Sequence, residues 1–241
     1  MPASDRNRGK QANDDKLFGT PKMQSKIRDA VQDMSFLLGR GYAEKSSLQL
    51  VGNRYKLNAR QQKAVLGMSA SAQQLAERRQ KQVHNLRDGR VLIDGFNLII
   101  ILESALSGAY LFKGLDGCYR DVSSVHGTYK RVRQTEEVLT LIGDSLQTLG
   151  AKDTFWYLDS PVSNSGRLKV MMLELAEKND YNWNVELVFN PDKVLAGSNE
   201  IAISSDGWIL DETTQWFNLG AYIIENRLDR DKGLILEAKE S

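Results

Sequence analysis

Arg90-Val91-Leu92-Ile93-Asp94-Gly95-Phe96-Asn97 is a short apolar run that stops at a carboxylate followed by glycine. A run of this kind predicts a buried strand over 91–93. In open α/β sheets the carboxyl ends of the strands form the ligand crevice, so an acid at that end stands where chemistry takes place. The pattern recurs downstream: Phe155-Trp156-Tyr157-Leu158 ends at Asp159, and Ile201-Ala202-Ile203-Ser204-Ser205 ends at Asp206-Gly207. Three hydrophobic runs ending in aspartate predict one acidic pocket, and clustered carboxylates suit a hard divalent cation with oxygen ligands.

Outward from Val91 the pattern is α/β. Strands are expected at 91–93, 154–158, 185–189, 200–204 and 221–224. An apolar segment covers 98–106, and helices are expected from Ser123 or Ser124 to about Leu149, from Arg167 to Lys178, and near Thr213 to Phe217. Strands alternating with helices predict crossover connections and a mostly parallel sheet. Upstream, residues 1–19 read as a disordered arm, polar with almost nothing to bury. Residues 20–89 read as a small, mainly helical domain. Thr20-Pro21 caps its first helix, 48–57 form a hairpin or irregular turn, Asn58 caps another helix, and a polar helix spans roughly 71–86. Asp88-Gly89 marks the boundary.

Composition narrows the classes. The 41% hydrophobic and 26% charged content is that of an ordinary globular chain. Cys118 is the only cysteine, and His84 and His126 are the only histidines, which excludes an internal disulfide and nearly excludes a thiolate zinc site. A reducing cytoplasm is the expected compartment. The longest apolar run, Leu98 to Leu102, is too short to cross a bilayer, and residues 1–22 lack the apolar core of a signal peptide. The net charge of +1 conceals an asymmetry. Residues 1–90 hold 18 Lys and Arg against 8 Asp and Glu, whereas residues 91–241 hold 14 against 23. A basic half beside an acidic half predicts a polyanion-gripping module joined to a metal-gripping one, against the plainer reading of solvated basic faces.

Each acid also has an ordinary reading. Asp94-Gly95 with Asn97 is either a functional acid beside an amide that holds a carboxylate or phosphate, or a turn with a cap. Asp159 opens Ser160-Pro161-Val162-Ser163-Asn164-Ser165-Gly166-Arg167, whose hydroxyls, amides and cation suit phosphate contact, or it is a helix cap. The serines before Asp206 orient that acid by hydrogen bonds, or the segment is a plain turn, with Asp211 and Glu212 as rivals. The stretch from Asp116 to Arg131 is dense in polar groups. There His126, Lys130 and Arg131 are candidate substrate contacts, and Asp121 is a fourth carboxylate, a cap or a partner of Arg120. Dinucleotide, P-loop and Gly-x-Ser-x-Gly templates are absent.

The series Val91-Leu92-Ile93-Asp94-Gly95-Phe96-Asn97, Leu158-Asp159 and Ile203-Ser204-Ser205-Asp206 resembles the PIN-like nuclease superfamily over about residues 90–226. Its Ile-Asp-Gly-aromatic-Asn opening looks most like the NYN branch, and 123–131 resembles the substrate-gripping region of flap-nuclease-like relatives. The resemblance implies a three-layer α/β/α domain over 90–241 whose acids bind Mg²⁺ or Mn²⁺ and hydrolyse phosphodiesters, usually of RNA. Asp94, Asp159 and Asp206 match its motif positions, and Asp121, Glu136 and Glu137 compete for the acid expected from its middle helix. The first ninety residues resemble a small uncharacterised domain found ahead of such domains. The leading expectation is a Mg²⁺- or Mn²⁺-dependent ribonuclease in which Asn97, His126, Lys130, Arg131, Ser163 and Arg167 contact nucleic acid. The rival is an inert PIN-like fold that binds nucleic acid or docks a partner. No membrane is involved, and homodimerisation is left open.

Overall fold

The computed structural model describes residues 8–123, 129–229 and 234–239. The chain begins with helices α1 (Asp14–Phe18), α2 (Pro21–Gly39), α3 (Glu44–Arg54), α4 (Ala59–Met68) and α5 (Ala72–Lys81). It continues through β1 (Arg90–Asp94), α6 (Gly95–Leu106), β2 (Leu111–Lys113), β3 (Tyr119–Arg120), α7 (Thr135–Thr148), β4 (Asp153–Asp159) and α8 (Ser165–Asn179). Then come β5 (Trp183–Val188), α9 (Pro191–Ala196), β6 (Ile201–Ile203), α10 (Gly207–Glu212), α11 (Leu219–Asn226) and β7 (Ile235–Glu237). Among the described residues, no helix is long and apolar enough to cross a membrane.

The expected parallel sheet is present, in the order β5-β4-β1-β6. β1 pairs in parallel with both β4 and β6, and β4 with β5. Alternation along the strands sends side chains to two covered faces. Val91, Ile93, Trp156 and Leu158 share a core with Leu102, Ile142 and Met172 of α6, α7 and α8. Leu92 faces the other way, toward Leu195 of α9, Ile209 and Leu210 of α10, and Trp216, with Phe155 and Tyr157 packed beside them.

A second sheet, β3-β2-β7, joins the helical N-terminal region to the α/β part. Its Phe112 and Leu236, with Tyr110, Val122 and Ala238, share one apolar cluster with Phe18, Ile27, Met34 and Val65. The helices therefore bury their apolar faces against residues from beyond position 90. Removing residues 1–90 would strip one side of that core as well as a basic surface.

Several sequence expectations are corrected. Residues 8–19 are not a loose arm: α1 drops Phe18, fully buried, against Phe112 at 4.8 Å between ring centroids, and buried Asp14 holds Arg60 at 2.7 and 2.8 Å. One aromatic in a polar segment is enough to dock it. The 48–57 stretch lies mostly in helix α3, whose buried face is Ser47, Val51 and Gly52. The strand expected at 221–224 lies in helix α11, capped by Asn218 and burying Leu219 and Ile223 at i, i+4. The helix expected near 213–217 comes earlier, as α10. Residues 213–218 run irregularly and bring Trp216 against Ala202 and Gln82. The helix expected from Ser123 or Ser124 begins only at Thr135, capped at Gln134, and the described residues 129–134 before it are not helical. Before it Tyr129 is buried, its hydroxyl donating to Glu103 at 2.6 Å, and Arg8 closes on the other Glu103 oxygen at 2.5 Å.

The two halves are also clamped by buried charge. Arg78 of α5 donates to Asp116 at 2.7 Å and to Asp211 of α10 at 2.6 and 3.0 Å. Arg120 of β3 donates to both oxygens of Asp116, at 2.9 and 2.7 Å. The two guanidinia hold Asp116 below the usual carboxylate range despite its burial. Removing one member of such a network leaves a buried charge unpaired, which costs about 3–5 kcal/mol. Asp116→Ala is expected to lower the midpoint of thermal unfolding by roughly 10 °C, on the order of 2–4 °C per kcal/mol at this chain length. Arg131→Ala, which removes an exposed pair with Glu136 at 3.3 Å, is expected to change it by no more than about 4 °C, as about 0–1 kcal/mol implies. Comparable melts for the two variants, followed by circular dichroism, would contradict the clamp.

Candidate active site

In the main sheet the chain passes from β1 outward through β4 to β5, then returns to the other side of β1 as β6. The direction of winding reverses beside β1, and in such sheets the crevice opens there, beyond the carboxyl ends of the strands. Asp94 ends β1 at that point and is buried. Gly95 has a steric role: a β-carbon there would stand 2.5 Å from Leu158 Cδ2 and 3.1 Å from Tyr157 O, so glycine lets α6 start directly against β4.

The serines after β6 orient groups across the switch point. Ser204 Oγ donates to Asp94 Oδ2 at 2.9 Å. Ser205 donates through its amide and hydroxyl to Asn97 Oδ1, at 3.1 and 2.7 Å. Ser204 Oγ also accepts from the Asp206 amide at 3.0 Å, so the Ser-Ser pair sets Asp94 and Asn97 as well as the backbone of Asp206, the one acid the sequence had it orienting. Asp206 itself caps α10, its Oδ1 accepting from the amides of Trp208 at 2.8 Å and Ile209 at 3.3 Å.

Electrostatics joins the acids. Burial pushes the Asp94 carboxyl up to about 7, the charges of Asp192 and Asp206 push the same way, and the Ser204 hydroxyl opposes them. Asp192 is also raised, first by desolvation and then by Asp206 and Asp159. Asp159, at the end of β4, is raised by desolvation. Among the described residues, no cation is among the principal influences on these three carboxyls. The donor set, all carboxylate and hydroxyl oxygen, fits a hard divalent cation, as does its uncompensated negative charge. The side chains are not closed into a cage: among the described residues no three His, Cys, Asp or Glu groups stand close enough together to hold an ion.

Asp192 went unnoticed in the sequence because it lies four residues past the end of β5 at Val188. Phe189-Asn190-Pro191-Asp192 puts proline at the first turn of α9, with the Asn190 side chain capping it. An Asn-Pro-Asp step after a strand was the available signal. Asp121 lies in other company: it accepts from Ser123 N at 2.7 Å, and the charges nearest it are Lys63 and Arg8. Glu136 and Glu137 are exposed on the first turn of α7, and Asp211 is taken by Arg78. Lys130 and Arg131 are exposed. Their segment is tied to the loop after Asp159, with Tyr129 N donating to Ser163 O at 3.1 Å and Asn164 Nδ2 to Tyr129 O at 2.9 Å. Exposed Arg167 follows on the first turn of α8. His126 lies outside the described residues.

The family model described as "Domain of unknown function (DUF5616)" matches residues 83–222, more than half of the chain. The chain belongs to the DUF5616 family. A second model, "Protein of unknown function (DUF434)", matches residues 26–81. The chain is similar to "Uncharacterized protein MJ0935" of Methanocaldococcus jannaschii, 29% identical over 192 residues, which cover 79% of this chain and 92% of that protein. No solved structure matches it. The four aspartates 94, 159, 192 and 206 all lie in the DUF5616 region. Where the two matched regions meet there is a cleft of about 760 Å³. Leu38, Lys63 and Leu66 line it from the helices, and Asn97, Arg120 and Trp208 from the DUF5616 side, and it reaches the acids at Asp206.

Burial of Asp94 has a pH signature. Its folded value of about 7 stands above the ordinary 3.8, so between these values the folded chain keeps a proton that the unfolded chain has lost. Stability therefore falls as pH rises through that window and levels off above it. Asp94→Asn removes this loss. In chelator, the variant is expected to gain on the parent from pH 4 to pH 8 by a few kcal/mol at most, at about 1.4 kcal/mol per pH unit. A stability difference independent of pH in urea titrations would contradict an uncompensated buried carboxylate.

Proposed function

We propose that this chain is a divalent-cation-dependent phosphodiesterase of nucleic acid, with RNA as its substrate. The observation carrying this reading is the placement of buried Asp94 at the sheet's switch point, where the charges of Asp192 and Asp206 bear on it. The PIN-like resemblance of the strand-ending motifs adds the reaction class. Asp94, Asp159 and Asp206 are the residues that would hold Mg²⁺ or Mn²⁺, with Asp192 as the fourth acid. Such an ion, when bound, lowers the pKa of a water and offsets charge building on phosphate. The Ser204 hydroxyl fixes the carboxyl of Asp94, and Asn97, held by Ser205, presents its amide at the same edge. Lys130, Arg131 and Arg167, brought to the loop after Asp159, would steer the phosphate backbone.

The inert reading keeps one observation in its favour. The Asp206 carboxylate is occupied in capping α10, and the acids stand apart. Incubation of the purified protein with labelled single-stranded RNA, in Mn²⁺ and in chelator, separates the two. Cleavage is expected only with Mn²⁺ and is expected to vanish in Asp94→Asn. In Asp192→Asn it is expected to fall by about 10–100-fold, the loss typical of groups that support a metal site. RNA bound but uncut in Mn²⁺, with no heat of Mn²⁺ binding in calorimetry, would favour the inert reading.

A further inference from the structure

Trp208 is 48% exposed, an unusual position for an indole on a chain whose Trp156 and Trp216 are fully buried. It follows Asp206 by two residues on the first turn of α10 and lines the cleft with Asn97, Lys63 and Asp121. The cleft's lining includes the apolar side chains of Ile100 and Ile101 from α6 and of Leu38 and Leu66 from the helical region. Its volume of about 760 Å³ is within the 300–1,000 Å³ or so usual for small-molecule sites, and so has room for a base and its ribose.

Charge distinguishes the modes of binding available. Arg78 and Arg120 both line the cleft, but Asp116 and Asp211 already take their guanidinium protons. Lys63 donates to the Ser123 carbonyl, and burial lowers its pKa. The cationic side chains are set against Glu44, Asp121, Asp206 and Asp211 on the same walls. Such a cleft has little positive potential with which to grip phosphate. It offers instead a half-exposed indole, apolar side chains and polar groups able to meet a base edge. Stacking of this kind needs a base whose face is free, which a duplex does not provide.

We propose that the cleft receives an unpaired nucleobase of single-stranded RNA, stacked on Trp208, with the adjoining phosphodiester directed to the acids past Asp206. This rests on the nucleic-acid reading above and narrows its substrate to unpaired strands. The nucleotide would bridge the two family-matched regions, which gives the helical region a part in recognition.

The test is binding of a fluorescent single-stranded RNA and of the same sequence as a duplex, by anisotropy in chelator, so that no cleavage intervenes. The parent is expected to prefer the single strand. Trp208→Ala is expected to weaken single-strand binding by roughly 5–150-fold, the usual worth of one stacked base, and Trp208→Phe to restore most of it. Because the lost contact carries no charge, the salt dependence of binding should keep its slope, whereas loss of a phosphate contact would reduce it. Equal binding by parent and Trp208→Ala, or equal affinity for duplex and single strand, would overturn the proposal. A Trp208-dependent preference for single strands in a protein that cuts nothing in Mn²⁺ would leave it standing and overturn the catalytic reading instead.

Discussion

All strands of the main sheet run the same way, and the position of every acid follows from that. Parallel strands present their carboxyl ends on one rim, so residues 65 and 112 positions apart in the chain, Asp94 to Asp159 and Asp94 to Asp206, come to neighbouring strand ends. Had β4 or β6 run antiparallel to β1, its aspartate would lie at the opposite edge. Parallel strands need helical crossovers, and those helices cover both faces of the sheet. The rim is left as the place where polar groups can gather without disturbing the apolar core.

At that rim the molecule tolerates an electrostatic cost. Asp94 is buried among like charges, and the chief groups relieving it are the Ser204 hydroxyl and the Asn97 backbone. Elsewhere buried acids are compensated: Asp14 by Arg60, Asp116 by Arg78 and Arg120, Glu103 by Arg8. Among the described residues this contrast singles out Asp94 as the candidate centre, since carboxyls shifted by burial and by like charges gather at such sites. The same compensation lowers the number of cations free to meet a polyanion. Arg8, Arg60 and Arg78 belong to the basic first half, yet all three serve the interior.

The helical region is joined to the α/β part by shared apolar packing and by the Arg78 clamp, although the family models divide the chain at residues 81–83. The seam between them is where the cleft opens, so its walls come from both. Holding α5 against α10 also holds Trp208 and Asp206 in a fixed relation to α2 and α4. A change in the clamp would therefore be felt at the cleft as well as in stability.

The strand-ending aspartates, the parallel α/β pattern from Val91 and the caps at Thr20 and Asn58 were legible because each depends on neighbours in sequence. A short apolar run, a following acid or a Thr-Pro step carries its physics locally. Other features were not legible for the converse reason. Phe18 docks a polar segment through contacts with Tyr110 and Phe112. Residues 221–224 are helical because α11 packs on the core, despite their β-branched pair. Asp192 joins the acids only because α9 packs back against β1 and β4. The sequence by itself determined that Asp94 and Asp159 end strands and that those strands alternate with helices, whereas Asp206 falls three residues past β6 as the cap of α10. Only the tertiary structure decided which acids share a rim, which cations are consumed within the interior and where the seam leaves Trp208 exposed, because charge pairing and burial depend on distance in space, which chain spacing does not encode.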